Sequence, residues 1–293
     1  MPVTGGDDLG RRDPRAADLP PAAREGDRRR RPVPLPELRE ALSNARIRAL
    51  YQPIVRLVNG APVAVEALAR LSHPVRGTVG PDLFVPQIED AGLALRLTES
   101  VGMVAFTDWA YGRLDELGLA LALNFSLDVL LLPDVLSWLD RARQSTGIPA
   151  SGIIIELTES QPVRDLSNLA VAVSRLRREG YALAIDDVSP SLRDHRELLA
   201  MEFSSLKLDK QVVRRASRSA KAEEFVLRTT QAAHAAGMRV VAEGIATRDH
   251  WDRMAALGVD EGQGFFIAKP LTCGSVAAWR NGWLTNRTPA AAR

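Results

Sequence analysis

The chain holds one cysteine in 293 residues, Cys273, so no internal disulfide framework supports it. That thiol falls where a helix is expected to begin and reads as a small hydrophobe. No charged-then-apolar leader opens the sequence, and the twin arginine Arg11–Arg12 has no apolar region behind it. These absences fit a cytoplasmic protein in a reducing compartment. No run of 18 apolar residues occurs, which excludes a helical membrane span. The most apolar window, residues 117–139, is broken by Asn124, Asp128, Pro133 and Asp134 and reads as strand, turn and helix. No G-x-G-x-x-G follows a first strand and there is no Walker A, so nothing supports a nucleotide-binding open sheet. His73, His234 and His250 form no ligand-like cluster, and His195 reads as a surface residue. No sensor, receiver, cyclase or DNA-binding module is recognisable.

Net charge is also small, +2, but unevenly built. Residues 1–36 carry eight arginines, seven prolines and six acids, with "RRRR" at 28–31; the remaining 30 basic and 30 acidic residues cancel. A basic, proline-rich segment with few large apolar residues cannot repay its ordering entropy, so 1–36 is expected to be a disordered tail, as is 286–293. Between them, 37–285 shows a repeating pattern: a short aliphatic run, a polar break, then an amphipathic helical stretch. Runs begin near residues 48, 62, 119, 152, 181, 204, 238 and 259. Helical stretches such as 165–180 and 220–237 lie between most of them, the second closing on Gly237. Eight strands alternating with helices imply a parallel sheet covered by helices, and their number favours a TIM-like (β/α)8 barrel. The first two runs, joined by a short link containing Asn59–Gly60, read as an antiparallel hairpin.

The runs end on polar residues. Asn124, Glu156, Asp186 with Asp187, Lys207 with Asp209, Glu243 and Gln263 close successive runs, and Glu66 sits late in an early one. Taken singly, each has a plain explanation: a helix cap, a turn, an ion pair. In a barrel the C-terminal strand ends converge on one face, and there the set becomes a cluster. Four or five carboxylates in one cleft repel one another unless cations neutralise them. Oxygen ligands without histidine or cysteine point to Mg²⁺ or Mn²⁺. An adjacent aspartate pair suggests two ions roughly 3.5–4 Å apart, the arrangement used in phosphodiester hydrolysis.

Eight motifs occur in order: "YQPIV" at 51–55, "EALAR" at 66–70, "NFS" at 124–126, "ELTES" at 156–160, "IDD" at 185–187, "LKLD" at 206–209, "VVAEGI" at 240–245 and "QGFFIAKPL" at 263–271. Across about 47–283 the chain resembles the EAL-domain family, the cyclic di-GMP phosphodiesterases. The resemblance implies a TIM-like barrel with an antiparallel first strand and hydrolysis of cyclic di-GMP to linear pGpG by two Mg²⁺ or Mn²⁺ ions. It implies that Glu66, Asn124, Glu156 and Asp186 hold one ion, and that Asp187 holds the second with Asp186 shared. Lys207 and Glu243 would orient and deprotonate the attacking water, with Gln263 beside them. Arg70 would contact a substrate phosphate, Gln52 would be a further substrate contact, and Glu159 would anchor the loop after the aspartate pair.

That loop departs from the family. Where the family has phenylalanine, glycine, threonine, glycine and tyrosine, this chain has Val188, Ser189, Pro190, Ser191 and Leu192. Both glycines are lost and a proline is gained, so the family conformation is not expected here. Ala246 and Leu71 are further departures that remove no ligand. Two readings follow. One is a phosphodiesterase, slow or activated by a regulatory protein partner. The other is a catalytically inactive cyclic di-GMP receptor or protein-interaction module. Family members often dimerise beside this loop, which makes a homodimer an expectation too.

Overall fold

The computed structural model describes residues 31–112, 114–158, 165–192 and 195–286. The expected tail lies outside them up to residue 30, as do 287–293. The boundary expected at residue 36 falls inside the fold. Val33 is 1% exposed, and its N–H donates to the Leu83 carbonyl at 2.9 Å. Helix α1 (Leu35–Ser43) begins directly after Pro34. Its own Pro36 lies in the first turn, where a missing N–H costs nothing, and Leu38 and Ala41 are buried. Val33, inside the segment expected to be tail, belongs to the core, and the surrounding proline- and arginine-rich composition conceals it.

From α1 the chain continues through β1 (Ile47–Arg56), β2 (Pro62–His73), β3 (Gly77–Val79), α2 (Val85–Asp90), α3 (Ala94–Tyr111), β4 (Ala120–Ser126), α4 (Leu127–Leu130) and α5 (Val135–Gln144). It goes on with β5 (Ile153–Thr158), α6 (Leu166–Arg178), β6 (Ala182–Val188), α7 (His195–Leu199), β7 (Ser205–Leu208), α8 (Lys210–Ala216) and α9 (Ala220–Ala235). It finishes with β8 (Arg239–Ala242), α10 (Arg248–Ala256), β9 (Glu261–Gln263) and α11 (Cys273–Thr285). Eight strands close in the order β1, β2, β4, β5, β6, β7, β8, β9 and back to β1; β3 extends β2 outside the ring. β1 is antiparallel to both neighbours, and the other ring pairings are parallel. The barrel and its inverted first strand are as expected. Cys273 opens α11, with its thiol pushed up to about 11 by burial and by Asp108. α9 does stop at Gly237, whose φ of +77° suits a glycine, and Met238 N–H closes on the Ala233 carbonyl at 2.9 Å.

Alternation along the strands separates two cores. In β4, Leu121, Leu123 and Phe125 point outward into the main apolar layer beneath the helices. Ala120, Ala122 and Asn124 share the opposite, lumen-facing side. The lumen holds a small cluster of Ile54, Ala64 and Val241, with Ala120 and Ile154 against it. In β6 the same alternation runs Ala182, Ala184, Asp186. Alanine low in the lumen and a long polar side chain at its upper end is the pattern that builds the site.

Candidate active site

Lys207 is the centre. It is 1% exposed, and its Nζ lies 2.7 Å from Glu243 Oε1, 2.9 Å from Glu156 Oε2, 3.2 Å from Asp186 Oδ1 and 3.5 Å from Glu66 Oε2. These carboxylates come from β2, β5, β6 and the segment after β8. The expectation that cations must neutralise the cluster is met in part by the protein's own lysine. Four carboxylates against one ammonium still leave three formal negative charges, and Asp187 adds another.

The amides complete the ring. Asn124 Nδ2 donates to Glu66 Oε1 at 2.8 Å, which leaves Asn124 Oδ1 free to act as a ligand. Gln263 Nε2 donates to Glu66 Oε2 at 2.7 Å and to Gln52 Oε1 at 3.3 Å. Gln52 is buried and donates to the Ala268 carbonyl at 3.1 Å. Arg70 is half-buried on the same face of β2 as Glu66, nearer the mouth, with Nη1 donating to the Ala69 carbonyl at 2.8 Å. Burial lowers its pKa, while Asp82 and Glu66 nearby pull the other way. Glu159 lies outside the described residues. Asp209 leaves the group: its carboxylate caps α8 by accepting from Gln211 N–H at 2.8 Å. His73, His234 and His250 bond to separate partners, Glu37, Asp260 and the Ala246 N–H.

A strand alone would send Asp186 and Asp187 to opposite faces. The structure avoids this with a bulge. β6 pairs with β7 as Ile185↔Leu206 and then Val188↔Leu208, so two aspartates stand opposite Lys207 alone. Asp187 takes φ +52°, a left-handed conformation that aspartate adopts more readily than most residues. As a result, oxygens of Asp186, Asp187 and Glu243 all lie within 4.8 Å of one another. The loop beyond needs no glycine: among described non-glycine residues only Ala45 and Asp187 have positive φ. Val188 is buried, Leu192 packs on the core with its N–H on the Ser189 carbonyl at 3.0 Å, and the Ser189 and Ser191 hydroxyls meet at 2.8 Å. Without the glycines the loop still forms, with the Asp186–Asp187 pair held in the bulge.

Glu243 is held by a close backbone approach. Ile245 N–H bonds to the Gln263 carbonyl at 2.9 Å, and Phe266 N–H to the Ile245 carbonyl at 3.0 Å. A Cβ on Gly264, between them, would overlap the Ile245 backbone. Gly264→Ala is therefore expected to cost about 1–3 kcal/mol, read as a lowered denaturant midpoint, because the segment carrying Glu243 must shift. An unchanged midpoint would show that this contact is slack.

Sequence motifs did not reveal the outer wall. A cleft of about 450 Å³ opens beside Glu66, Asn124 and Asp187. Its far side is built by Pro81, Asp82, Val85, Pro86, Leu97 and Val101, from the turn before α2, α2 itself and α3. Apart from Asp82, only apolar spacing marks these residues, and the same spacing marks ordinary core.

The charges settle unequally. Burial raises Glu243 to about 7, with Asp186 and Glu66 adding to the rise and Lys207 opposing it. Burial, with Glu66 and Asp186 nearby, also raises Glu156 well above its ordinary value. Glu66 is buried too, but Lys207 and the hydrogen bonds from Asn124 and Gln263 hold it below 4.5. Burial works against the Lys207 ammonium, yet its carboxylate neighbours raise it well above 10.5. Without bound cations, then, stability should fall as pH rises from about 5 to about 8. In that range the folded state retains protons on Glu243 and Glu156 that the unfolded chain has already lost. Glu66 contributes its stabilisation above 4.5 and Lys207 its own below 10.5, so both are flat across the window. For Glu243, moving from 4.5 to about 7 corresponds to about 3 kcal/mol. Urea unfolding at both pH values in chelator checks this; greater stability at pH 8 would contradict it.

A closed barrel with one inverted strand and a lysine-centred carboxylate ring at its mouth defines a TIM-like barrel protein with an acidic site. The chain belongs to the EAL domain family, whose model matches residues 36–270. It is 33% identical over 230 residues to the cyclic di-GMP phosphodiesterase PA2567 of Pseudomonas aeruginosa, covering 78% of this chain and 39% of that protein. It is 27% identical over 236 residues to the probable cyclic di-GMP phosphodiesterase PdeG of Escherichia coli, covering 80% and 46%. The chain thus spans less than half the length of these relatives. Among solved structures it is similar to the EAL enzyme Bd1971 in its cAMP- and cyclic-di-GMP-bound form, with TM-score 0.78, 27% identity and coverage of 84% of this chain and 67% of that one. The PaMucR phosphodiesterase in complex with c-di-GMP gives TM-score 0.76 and 27% identity, covering 81% and 97%.

Proposed function

We propose that this chain is a metal-dependent cyclic di-GMP phosphodiesterase that releases linear pGpG. The observation that carries the reading is the convergence of Glu66, Asn124, Glu156, Asp186, Asp187, Glu243 and Gln263 around Lys207 beside an open cleft. The donor set fits Mg²⁺ or Mn²⁺: it is all oxygen, it is partly buried, and its charge exceeds what one lysine neutralises. Glu66, Asn124, Glu156 and Asp186 would hold one ion; Asp187, sharing Asp186, would hold the other. Bound there, the ions supply Lewis-acid polarisation of the phosphodiester and the missing positive charge.

The chain's own groups do the rest. Glu243 takes a proton from the attacking water, whose oxygen forms the new bond to phosphorus. The bond from phosphorus to the 3′ oxygen breaks, and that oxygen acquires a proton. Lys207 stays an ammonium and orients the water and Glu243, and Gln263 sits beside them. Arg70 offers its guanidinium to the second phosphate at the mouth. The largely apolar wall of Pro81, Val85, Pro86, Leu97 and Val101, with Asp82 among them, gives a base a surface to lie on. The intact aspartate bulge favours this reading over that of a receptor that has abandoned catalysis. Relatives with cyclic di-GMP phosphodiesterase in their names, and neighbours with the nucleotide bound, point to the same substrate. The test is dependence on cations: chelation should abolish turnover, and Mg²⁺ or Mn²⁺ should restore it. Turnover in chelator at an undiminished rate would overturn the mechanism.

A further inference from the structure

One stretch of the rim carries positive charge alone. In α8, Val212, Val213 and Ala216 are buried, so Lys210, Gln211, Arg214 and Arg215 turn outward. Arg218 and Lys221 continue the exposed face through the turn into α9. None of these five cations forms an ion pair with a carboxylate among the described residues. The nearest acids in sequence are already engaged. Asp209 caps α8, Glu223 pairs with Arg253 at 2.9 Å and Glu224 with Arg228 at 3.7 Å. A merely solvated helix face interleaves the two signs, as α10 does with Arg248 and Asp252 2.8 Å apart. The inner end of the basic face reaches the site. A Cβ on Gly244, next to Glu243, would meet the Cα and Cβ of Lys210. Burial pushes the Asp187 carboxyl up, with Asp186 and Asp209 adding to the rise, while Lys207 and Lys210 draw it down. Lys210 therefore stands at the rim near Asp187 and Glu243, and α8 carries the charge outward for about 10 Å. Across the ring, where β2 stands opposite β7, the mouth is acidic. Asp82 and Glu89 line the cleft there, and the neighbouring hollow adds Asp90, Asp128 and Asp165, with no described lysine or arginine in either lining.

We infer that the Lys210–Lys221 face is an electrostatic guide for the phosphates of the substrate, drawing the dinucleotide to this side of the mouth before contact forms. The guide rests on the phosphodiesterase reading and deepens it. A cyclic dinucleotide carries two phosphodiester groups, each negatively charged at neutral pH. Two divalent cations would offset the four formal negative charges left on the ring and Asp187, so the loaded site exerts little pull at a distance. The exposed cations outside it supply that pull. Arginine, which makes up three of the five, keeps its charge at any working pH. Attraction of this kind raises the rate of association and fades as salt is added.

The test is stopped-flow association of cyclic di-GMP labelled with a fluorophore on one 2′ oxygen. It uses the Mg²⁺-loaded chain carrying Glu243→Gln, so that binding is read before cleavage. Arg214→Gln/Arg215→Gln is compared with Arg141→Gln/Arg178→Gln, which removes the same charge from the last turns of α5 and α6, at the other end of the barrel. At roughly 10 mM salt, where charges act over about 30 Å, the first pair should slow association about three- to tenfold and leave dissociation unchanged. The second pair should leave association within about twofold of the parent. At roughly 1 M salt the difference should vanish. Equal association rates at low salt, equal losses from both pairs, a change in dissociation, or a loss that survives high salt overturns the guide. Cleavage is followed separately in the chain without Glu243→Gln. Probe that binds there but is never cleaved ends the phosphodiesterase reading and leaves the guide to be decided by the association rates; probe that does not bind at all ends both.

Discussion

Lys207→Met should lose about 3–5 kcal/mol of folding stability at pH 8 and all measurable turnover. The ammonium is in contact with four carboxylates within 3.5 Å, three of them buried. Breaking a buried ion pair by removing one partner costs this much because the charges left behind are uncompensated. The loss should shrink toward pH 5, where Glu156 and Glu243 can take up protons. Mg²⁺ should restore part of the stability without restoring turnover. A Lys207→Met protein as stable as the wild type at pH 8 would mean that the ring is neutralised some other way.

Glu243→Gln is expected to move activity and stability in opposite directions. A positioned general base contributes about 10²–10⁴-fold, so kcat should fall by that factor. The cation-free protein at pH 8 should become more stable, because a neutral amide replaces a carboxylate whose proton is held up to about 7. The amide can still accept from Lys207, which lies 2.7 Å from Glu243 Oε1. Turnover with cations present and urea midpoints in chelator give the two readings. If both fall, Glu243 is a structural counter-charge and some other group takes the proton.

The barrel was legible because its strands are punctuated. In "LALALNF" and "YALAIDD" the inward positions are alanines until a polar residue appears at the mouth, and the outward positions are large aliphatics. That is a lumen with a site at one end, written in the period of two. Lys207 and Asp209 stand two apart on one run and read as a pair in sequence. The structure separates them because Asp209 already belongs to α8 as its cap, which only the local backbone reveals. The Asp186–Asp187 pair was visible as a pair, but the bulge that brings both to one side depends on pairing with β7, a long-range fact. The divergent loop suggested a damaged site. In the structure its substitutions fall where φ is negative, so serine and proline are tolerated. The wall from Pro81 to Val101 carries no unusual residue type, and nothing local separates it from core.

On the proposed reading, this ring of side chains opens a cyclic dinucleotide. The most direct measurement is to incubate cyclic di-GMP with the purified chain and Mn²⁺ or Mg²⁺ and resolve the products by chromatography, with Glu66→Ala alongside. The account expects pGpG from the wild type and none from Glu66→Ala. Nucleotide that binds saturably but is recovered intact would contradict it and make the chain a receptor.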